Sequence, residues 1–242
     1  MNSLSKDHIR AIRKLRNEHG FGHNLSQSQM DDLVAQWSPI VSPDEKDWSE
    51  RFTIVWFDGS ETGVYGPRWI FHLFGFSHRA SHVGLTTSSG LVVLQKRSLT
   101  KADWPGCWDM TVSGHVPVSD DNRSLNYRDG AIKEIGEEIG LLGDDIEEYL
   151  TGGLEAIGSP YLFFEMDETR NPPFYNAEIQ QLFGGCLTQA GLQKISPDFD
   201  ELDGIMLVRE EIAWSLLTGQ HAAAGLRSSL PRFLDWLHQK EV

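Results

Sequence analysis

The strongest constraint on the fold is a change of sequence pattern near residue 50. After that point, short apolar runs alternate with turn residues, which is typical of strands joined by tight connections. Residues 51–65 predict two strands around an Asp58-Gly59 turn, and residues 81–97 predict two more strands joined at Ser88–Gly90. Further strands are predicted in the segments WDMTVSGHV, YLFFEM, AEIQQLFGGCL and GIMLV.

Helices interrupt this series of strands without alternating strictly with them. They are predicted at residues 127–140, from about Arg209, and in the closing segment LPRFLDWLHQ. This order indicates an α+β layered domain, which we assign to residues 50–242. Residues 1–49 are predicted to be a helical N-terminal extension, because apolar residues recur there at helical spacing and Ser26 can cap a second helix.

Composition excludes several classes of protein. The formal net charge of -14 argues against a nucleic-acid polymer as partner, because such binding relies on many Lys and Arg contacts. No apolar run approaches the roughly 18–20 residues that span a bilayer, and no apolar signal core begins the chain, so we expect no membrane association and a cytoplasmic location. The two cysteines, Cys107 and Cys186, have no metal-like spacing.

The segment AIKEIGEEIGL, residues 131–141, places three carboxylates on one predicted helix. At about 100° of turn per residue, Glu134, Glu137 and Glu138 share one arc of the helix, and the isoleucines form a separate stripe that can face the core. Like charges on one helix face are mildly destabilising, whereas Mg²⁺ or Mn²⁺ would stabilise them. From these residues alone, a metal site and a solvated acidic stripe both remain open.

The segment KEIGEEIGL resembles the core of the Nudix signature, with Lys133 in place of its arginine and Gly114 as the glycine that starts the upstream loop. The resemblance implies a Nudix-type α/β/α sandwich, a mixed sheet between helices, whose signature helix binds metal through Glu134, Glu137 and Glu138. The loop after Gly114 is longer than the family pattern. Leu125 stands where the loop glutamate is expected, and Asp120 or Asp121 could replace that acid.

Longer segments are similar to isopentenyl-diphosphate isomerases, which share the Nudix fold: KRSLTKADWPGCWDMTVSGHV, GVYGPRWIFHLFGFSHRASHV and NAEI. By this resemblance, Arg97 and Lys101 hold the diphosphate of the substrate. Four further residues fall where the isomerases bind metal, namely His72, His78, His115 and Glu178. Imidazoles with a carboxylate suit Zn²⁺ or Mn²⁺, and two cations can neutralise phosphate oxygens.

Two substitutions argue against isomerase chemistry. Ser113 stands at the position of the catalytic cysteine, and a hydroxyl is far less acidic than a thiol. Asn176 replaces a ligand glutamate, and Cys107 does not restore the thiol by position. The retained glutamates of the signature helix favour hydrolysis instead.

The sequence therefore predicts a metal-dependent pyrophosphohydrolase that acts on a small-molecule diphosphate, with Mg²⁺ or Mn²⁺ as cofactor. Glu134, Glu137, Glu138 and Glu178 are the predicted catalytic residues, and either Glu137 or Glu178 takes the proton from the attacking water. The alternatives are an isopentenyl-diphosphate isomerase and a non-catalytic Nudix-like ligand-binding protein. The substrate is open, and so is a homodimer.

Overall fold

The computed structural model describes residues 3–119, 124–141 and 146–240. Asp120 and Asp121, the two candidates for the loop acid, lie outside the described residues. The helices are α1 (Lys6–His19), α2 (Gln27–Val41), α3 (Glu45–Ser49), α4 (Arg68–Phe74), α5 (Tyr127–Ile139), α6 (Ile146–Tyr149), α7 (Gln189–Lys194), α8 (Glu210–Leu217) and α9 (Ala224–Lys240). The strands are β1 (Arg51–Val55), β2 (Glu61–Pro67), β3 (Ser77–Thr87), β4 (Val92–Arg97), β5 (Trp108–Asp109), β6 (Val112–His115), β7 (Leu150–Asp167), β8 (Phe174–Leu187) and β9 (Leu202–Val208).

Two sheets are formed. β1 and β2 make an antiparallel hairpin around the predicted Asp58-Gly59 turn. A seven-stranded sheet has the order β5-β4-β3-β8-β7, with β6 paired to β3 and β9 paired antiparallel to β4. This mixed sheet with flanking helices is the fold class that the sequence predicts. Among the described residues, no helix has both the length and the apolar character needed to cross a bilayer.

The chain divides into two compact units. The first comprises Met1–Ala80, His115–Asn126 and Pro160–Gln180, and the second comprises Ser81–Gly114, Tyr127–Ser159 and Gln181–Val242. The sequence-based boundary at residue 49 stays a prediction.

The core of the first unit is rich in aromatic residues from both sides of that boundary. Ile12, Met30 and Trp37 from the N-terminal helices are buried in one apolar cluster with residues of β1, α4 and β8, such as Phe52, Trp69 and Tyr175. The capping of α2 follows the sequence, because the Ser26 side chain accepts a hydrogen bond from Gln29 N–H in a complete capping box.

Helix α5 contributes to the core of the second unit in the way its isoleucine stripe predicts. Ile135 and Ile139 are fully buried against strand residues that include Val83, Val93 and Val112. Burial of this stripe fixes the rotation of α5 about its axis and so determines where its glutamates lie.

Candidate active site and histidine cluster

The three glutamates of α5 have very different surroundings. Glu138 is buried, with 4% of its surface exposed, and the Glu134 side chain is 16% exposed. Only Glu137 is largely solvated, with 57% of its side chain exposed, and it forms an ion pair with Lys133. A solvated acidic stripe therefore describes Glu137 but not its two neighbours.

Glu138 lies at the centre of a small polar network in the second unit. Its Oε2 atom accepts hydrogen bonds from Gln95 Nε2 at 3.2 Å and from the backbone N–H of Ser113 at 3.3 Å. Burial, together with the negative charge of Glu134, raises the pKa of Glu138 to about 8, whereas Lys101 and Arg97 act in the opposite direction. Two adjacent carboxylates in a buried setting are an arrangement that a divalent cation stabilises.

Glu134 packs directly against Gly114 on β6. A Cβ atom added at Gly114 would lie 2.3 Å from both the Cδ and Oε2 atoms of Glu134, which is closer than any real contact. The glycine therefore allows this position of the Glu134 carboxylate, which any larger residue would displace. This is the structural reason for the glycine that the sequence resemblance singles out.

The two predicted phosphate-binding cations are already engaged by other groups. Arg97, at the end of β4, donates from Nε and Nη2 to the carbonyl oxygen of Asp103 at 3.2 and 3.0 Å, and its Nη1 lies 3.4 Å from Asp109 Oδ2. Lys101 forms an ion pair with Glu201. Both cations belong to the same unit as Glu138 and influence its pKa, so they act electrostatically on the carboxylate site.

The first unit contains a separate cluster of three histidines. His72 lies on α4, His78 on β3 and His115 at the end of β6, and one ring nitrogen from each lies within 4.8 Å of the others. The backbone N–H of Val116 donates to the carbonyl of Arg79 at 3.0 Å, which ties the residues next to His115 and His78 together. The structure thus brings together three histidines that lie up to 43 positions apart in the sequence, as the sequence resemblance implies.

Two of these rings present an unpartnered nitrogen. His72 Nδ1 lies 3.4 Å from the Tyr175 carbonyl oxygen and His78 Nδ1 lies 3.0 Å from that of Phe76, so Nδ1 is the natural site of the proton in each neutral ring. Within the described part of the chain, both Nε2 atoms are buried without a hydrogen-bond partner. Burial lowers the pKa of His72 well below its ordinary value and lowers that of His78 to about 4. Neutral imidazole is the form that binds a metal ion.

His115 lies between two carboxylates. Its Nε2 is 3.3 Å from Glu178 Oε1, and its Nδ1 is 3.8 Å from Glu50 Oε1. Burial opposes protonation, but the carboxylates of Glu178 and Glu50 outweigh it and raise the pKa of His115 to about 9. The positive charge of protonated His115 therefore lies next to the two carboxylates, where a bound cation could also offset their charge.

Two amide side chains fix the carboxylate of Glu178. Its Oε1 accepts from Asn176 Nδ2 at 2.7 Å, and its Oε2 accepts from Gln180 Nε2 at 2.6 Å. Asn176 Oδ1 is buried and has no partner among the described residues. Asn176 thus supports Glu178 by donating a hydrogen bond from Nδ2, while its own Oδ1 acceptor stays unpartnered in the described residues.

Ser113 and Cys107, the two positions that bear on isomerase chemistry, have surroundings that the structure describes. Ser113 contributes its backbone N–H to Glu138, and its hydroxyl is buried without a partner in the described residues. Burial raises the pKa of the Cys107 thiol, so this residue is not an activated nucleophile.

Sequence reasoning missed Gln95 and Glu50. Gln95 carries a weak signal, a polar residue at the end of the apolar run LVVL, whereas nothing in the sequence marks Glu50.

The chain is similar to curated proteins that are named Nudix hydrolases. No protein-family model matches the chain. Over 136 residues, or 55% of its length, the chain is 30% identical to Nudix hydrolase 3 of Arabidopsis thaliana. Over 102 residues, or 42% of its length, it is 29% identical to an uncharacterized Nudix hydrolase of Pseudomonas aeruginosa. The matched segments cover 16% of the first relative and 57% of the second, less than two thirds of either.

A solved structure shows a related fold. The crystal structure of DR0079 from Deinococcus radiodurans matches with a TM-score of 0.53 at 15% identity, covering 76% of this chain and 98% of that one. The predicted resemblance to the Nudix superfamily is confirmed by the two curated relatives, and the predicted fold class is confirmed with it. The comparisons do not support the narrower isopentenyl-diphosphate-isomerase-like branch.

Proposed function

We propose that the chain is a metal-dependent Nudix hydrolase that cleaves a diphosphate linkage in a nucleoside-linked or otherwise substituted diphosphate. The observation that carries this proposal is the buried Glu138 beside Glu134, with Arg97 and Lys101 acting on the same carboxylate. Two neighbouring carboxylates that solvent reaches poorly are destabilised by mutual repulsion and desolvation unless a cation offsets their charge.

The residues of this site fit a hard divalent ion. Carboxylate oxygens are the ligands that Mg²⁺ and Mn²⁺ prefer, and Glu134, Glu137 and Glu138 supply them from one helix. The close packing of Glu134 on Gly114 and the two hydrogen bonds to Glu138 limit the freedom of these side chains before any ion binds. When bound, the ion neutralises phosphate oxygens and lowers the pKa of a coordinated water.

The remaining steps fall to the side chains of the chain itself. Arg97 and Lys101 offset negative charge on the phosphates by exchanging their present partners for phosphate oxygens. A carboxylate accepts the proton of the attacking water, and Glu137 and Glu178 are the two candidates. Glu137 is exposed and paired with Lys133, whereas Glu178 is held by Asn176 and Gln180.

The histidine cluster is proposed as a second metal-binding group. His72, His78 and His115 offer nitrogen ligands and Glu178 offers oxygen, a donor set that fits Zn²⁺ or Mn²⁺ better than Mg²⁺. The unpartnered Nε2 atoms of His72 and His78 support this proposal, because buried polar atoms without a partner are costly in a folded protein.

The finer features of the proposal concern substrate and setting. The substrate is a small molecule and not a nucleic-acid polymer, in keeping with the formal charge of -14. A cytoplasmic location and a homodimer are part of the proposal, and size-exclusion chromatography with light scattering tests the second.

The experiment that tests the activity is a release assay over nucleoside diphosphate derivatives, dinucleotides, cofactor diphosphates and prenyl diphosphates. Each compound is incubated with the full chain and Mg²⁺ or Mn²⁺, and phosphate and pyrophosphate are measured separately. We expect metal-dependent release from at least one class, removed by Glu138→Gln and retained in the exposed control Glu211→Gln. Release that survives in Glu138→Gln would contradict the role given to α5.

A second candidate function is isomerisation of isopentenyl diphosphate, favoured by the assembled histidine cluster. Ser113 in place of a thiol argues against it. Incubation with isopentenyl diphosphate in deuterated water separates the two candidates, because isomerisation places deuterium on carbon and hydrolysis releases phosphate.

A further inference from the structure

We propose that Glu50 is a positioning residue for the histidine cluster: together with Arg68, it orients His115 so that Nδ1 faces Glu50 and Nε2 faces Glu178, the oxygen ligand proposed for the same site. This inference rests on the proposed metal-binding role of the cluster and extends it to two residues that no sequence motif marks. Glu50 lies between α3 and β1, and Arg68 begins α4, the helix that carries His72.

The position of Glu50 is fixed by Arg68 through two contacts. The guanidinium Nη1 of Arg68 donates to Glu50 Oε2 at 2.7 Å, and the backbone N–H of Arg68 donates to the Glu50 carbonyl at 2.8 Å. Both side chains are largely shielded from solvent, with 25% of Glu50 and 21% of Arg68 exposed. A carboxylate that is held in this way has few alternative positions. The negative charge of Glu50 therefore stays close to His115.

The backbone also ties Glu50 to the segment of His115. The N–H of Val118 donates to the carbonyl of Arg51 at 2.8 Å, which joins the residue after Glu50 to a residue just beyond His115. Phe52 follows on β1, and its ring lies 4.8 Å from that of His115 and stacks on His78 at 4.6 Å. The start of β1 thus contacts His115 through the Phe52 ring and is joined to the segment that follows His115.

The chemical consequence concerns the two nitrogens of His115. The Oε1 atom of Glu50 lies 3.8 Å from Nδ1, an ion-pair distance, whereas Nε2 faces Glu178 at 3.3 Å. Without a metal ion, the carboxylate of Glu178 favours a proton on Nε2 as well. If a cation replaced that proton, the negative charge of Glu50 would keep the hydrogen on Nδ1 and leave the lone pair of Nε2 for the cation. A carboxylate behind a metal-binding histidine fixes the orientation of the ring and increases its basicity, and its loss typically weakens metal affinity by about 10–100-fold.

The test measures metal binding in the full chain with Glu50→Gln, which retains the shape of the side chain but removes its charge. Binding of Co²⁺ is followed by its visible absorption, which reports nitrogen ligands, and by competition with a chromophoric chelator. His78→Ala supplies the spectrum of cobalt bound elsewhere on the chain. We expect Glu50→Gln to weaken binding at the cluster by roughly 10–100-fold.

The matched control is Glu61→Gln in the same unit. Glu61 forms an equivalent ion pair with Arg79 at 2.7 Å, with 35% of its side chain exposed, but does not contact the histidines in the described structure. This control should bind cobalt as the wild type does. Glu50→Asp should restore part of the lost affinity, which a purely structural defect would not allow, and circular dichroism verifies that each variant is folded. If Glu50→Gln is misfolded, Arg68→Gln provides the same test by releasing the Glu50 carboxylate.

A second measurement reports the ring itself. In the zinc-loaded protein labelled with ¹⁵N-histidine, we expect a protected Nδ1–H on His115 that exchanges faster with solvent in Glu50→Gln. Equal cobalt affinity in Glu50→Gln and the wild type, or a wild type without nitrogen-bound cobalt, would overturn the inference. Neither outcome affects the hydrolysis assigned to α5, which is tested separately by phosphate release in Glu138→Gln.

Discussion

The histidine cluster and the α5 carboxylates differ in the ligand atoms that they would offer to a cation. In the first unit, burial keeps His72 and His78 neutral and leaves their Nε2 atoms without partners in the described residues. In the second unit, burial of Glu138 and, second to it, the negative charge of Glu134 raise the pKa of Glu138 to about 8. A neutral nitrogen-rich set favours Zn²⁺-like ions, whereas an anionic oxygen set favours Mg²⁺-like ions. The difference predicts distinct ion preferences for the two proposed metal-binding groups.

The largest expected effect comes from Glu138→Gln, which tests whether only the carboxylate group supports turnover. Removing the charge of a buried carboxylate that holds the metal should lower kcat by roughly 100-fold or more. The thermal midpoint of the metal-free protein near neutral pH should not fall, because Glu138 with a pKa of about 8 is already uncharged there and the amide has a similar shape. Steady-state kinetics and calorimetry measure the two quantities. A variant with unchanged kcat would show that the carboxylates of α5 are not the catalytic group.

His78→Ala tests the other half of the comparison. Losing one of three nitrogen ligands should weaken Co²⁺ or Zn²⁺ binding by roughly 100-fold. The variant should also lose about 2 kcal/mol of stability, because His78 is fully buried and stacks on Phe52. His82→Ala is the matched control, since His82 is a buried histidine on the same strand that bonds to Ser229. Comparable stability loss with normal metal binding is expected for the control, and equal metal affinity in the two variants would refute the cluster.

Gly114→Ala perturbs the carboxylate group without changing any charge. The added methyl would lie 2.3 Å from the Glu134 carboxylate and must displace it. We expect a fall in kcat of roughly tenfold, because a displaced catalytic group is costly, with little loss of stability, because the displaced atoms are the end of a flexible side chain. Gly219→Ala is a control in the same unit, because a new Cβ there would lie 3.3 Å from the Leu216 carbonyl oxygen, its nearest neighbour. Full activity in Gly114→Ala would mean that the position of Glu134 does not matter for turnover.

The smallest expected effect is the contribution of Glu138 to the pH dependence of stability. Because the folded-state pKa of Glu138 is raised from 4.5 to about 8, the folded protein binds more protons than the unfolded chain between these values. Without metal, the contribution of Glu138 to stability should therefore fall progressively as pH rises from about 4.5 to about 8. Urea unfolding in the presence of a chelator measures this slope. The slope should decrease in Glu138→Gln, and an identical slope in the variant would contradict the assignment.

Much of the fold follows from local sequence patterns. The hairpin around Asp58-Gly59 and the helix with the Ile135 and Ile139 stripe lie where turn chemistry and periodicity predict them. Helix α4 was not predicted. Its residues from Trp69 to Phe74 are all buried, so the segment has no polar face and no amphipathic period that would reveal a helix.

The candidate site was predictable only in part for a related reason. The residue types of α5 and the histidines were identified by resemblance to known families, but a helical projection could not show that Glu138 is buried and Glu137 exposed. Glu50 and Gln95 were missed because their partners, His115 and Glu138, lie 65 and 43 positions away in the sequence. Such contacts arise from tertiary packing, which leaves no local pattern.

The engagement of Arg97 by Asp109 and of Lys101 by Glu201 has a consequence for ligand choice. A cation that already has an acidic neighbour gives little advantage to a weakly charged ligand, which would gain about as much as the displaced side chain loses. A ligand with several closely spaced negative charges can outcompete both neighbours at once. The same arrangement would bind a singly charged fragment more weakly than the intact, multiply charged ligand. The products of cleavage would therefore be released readily.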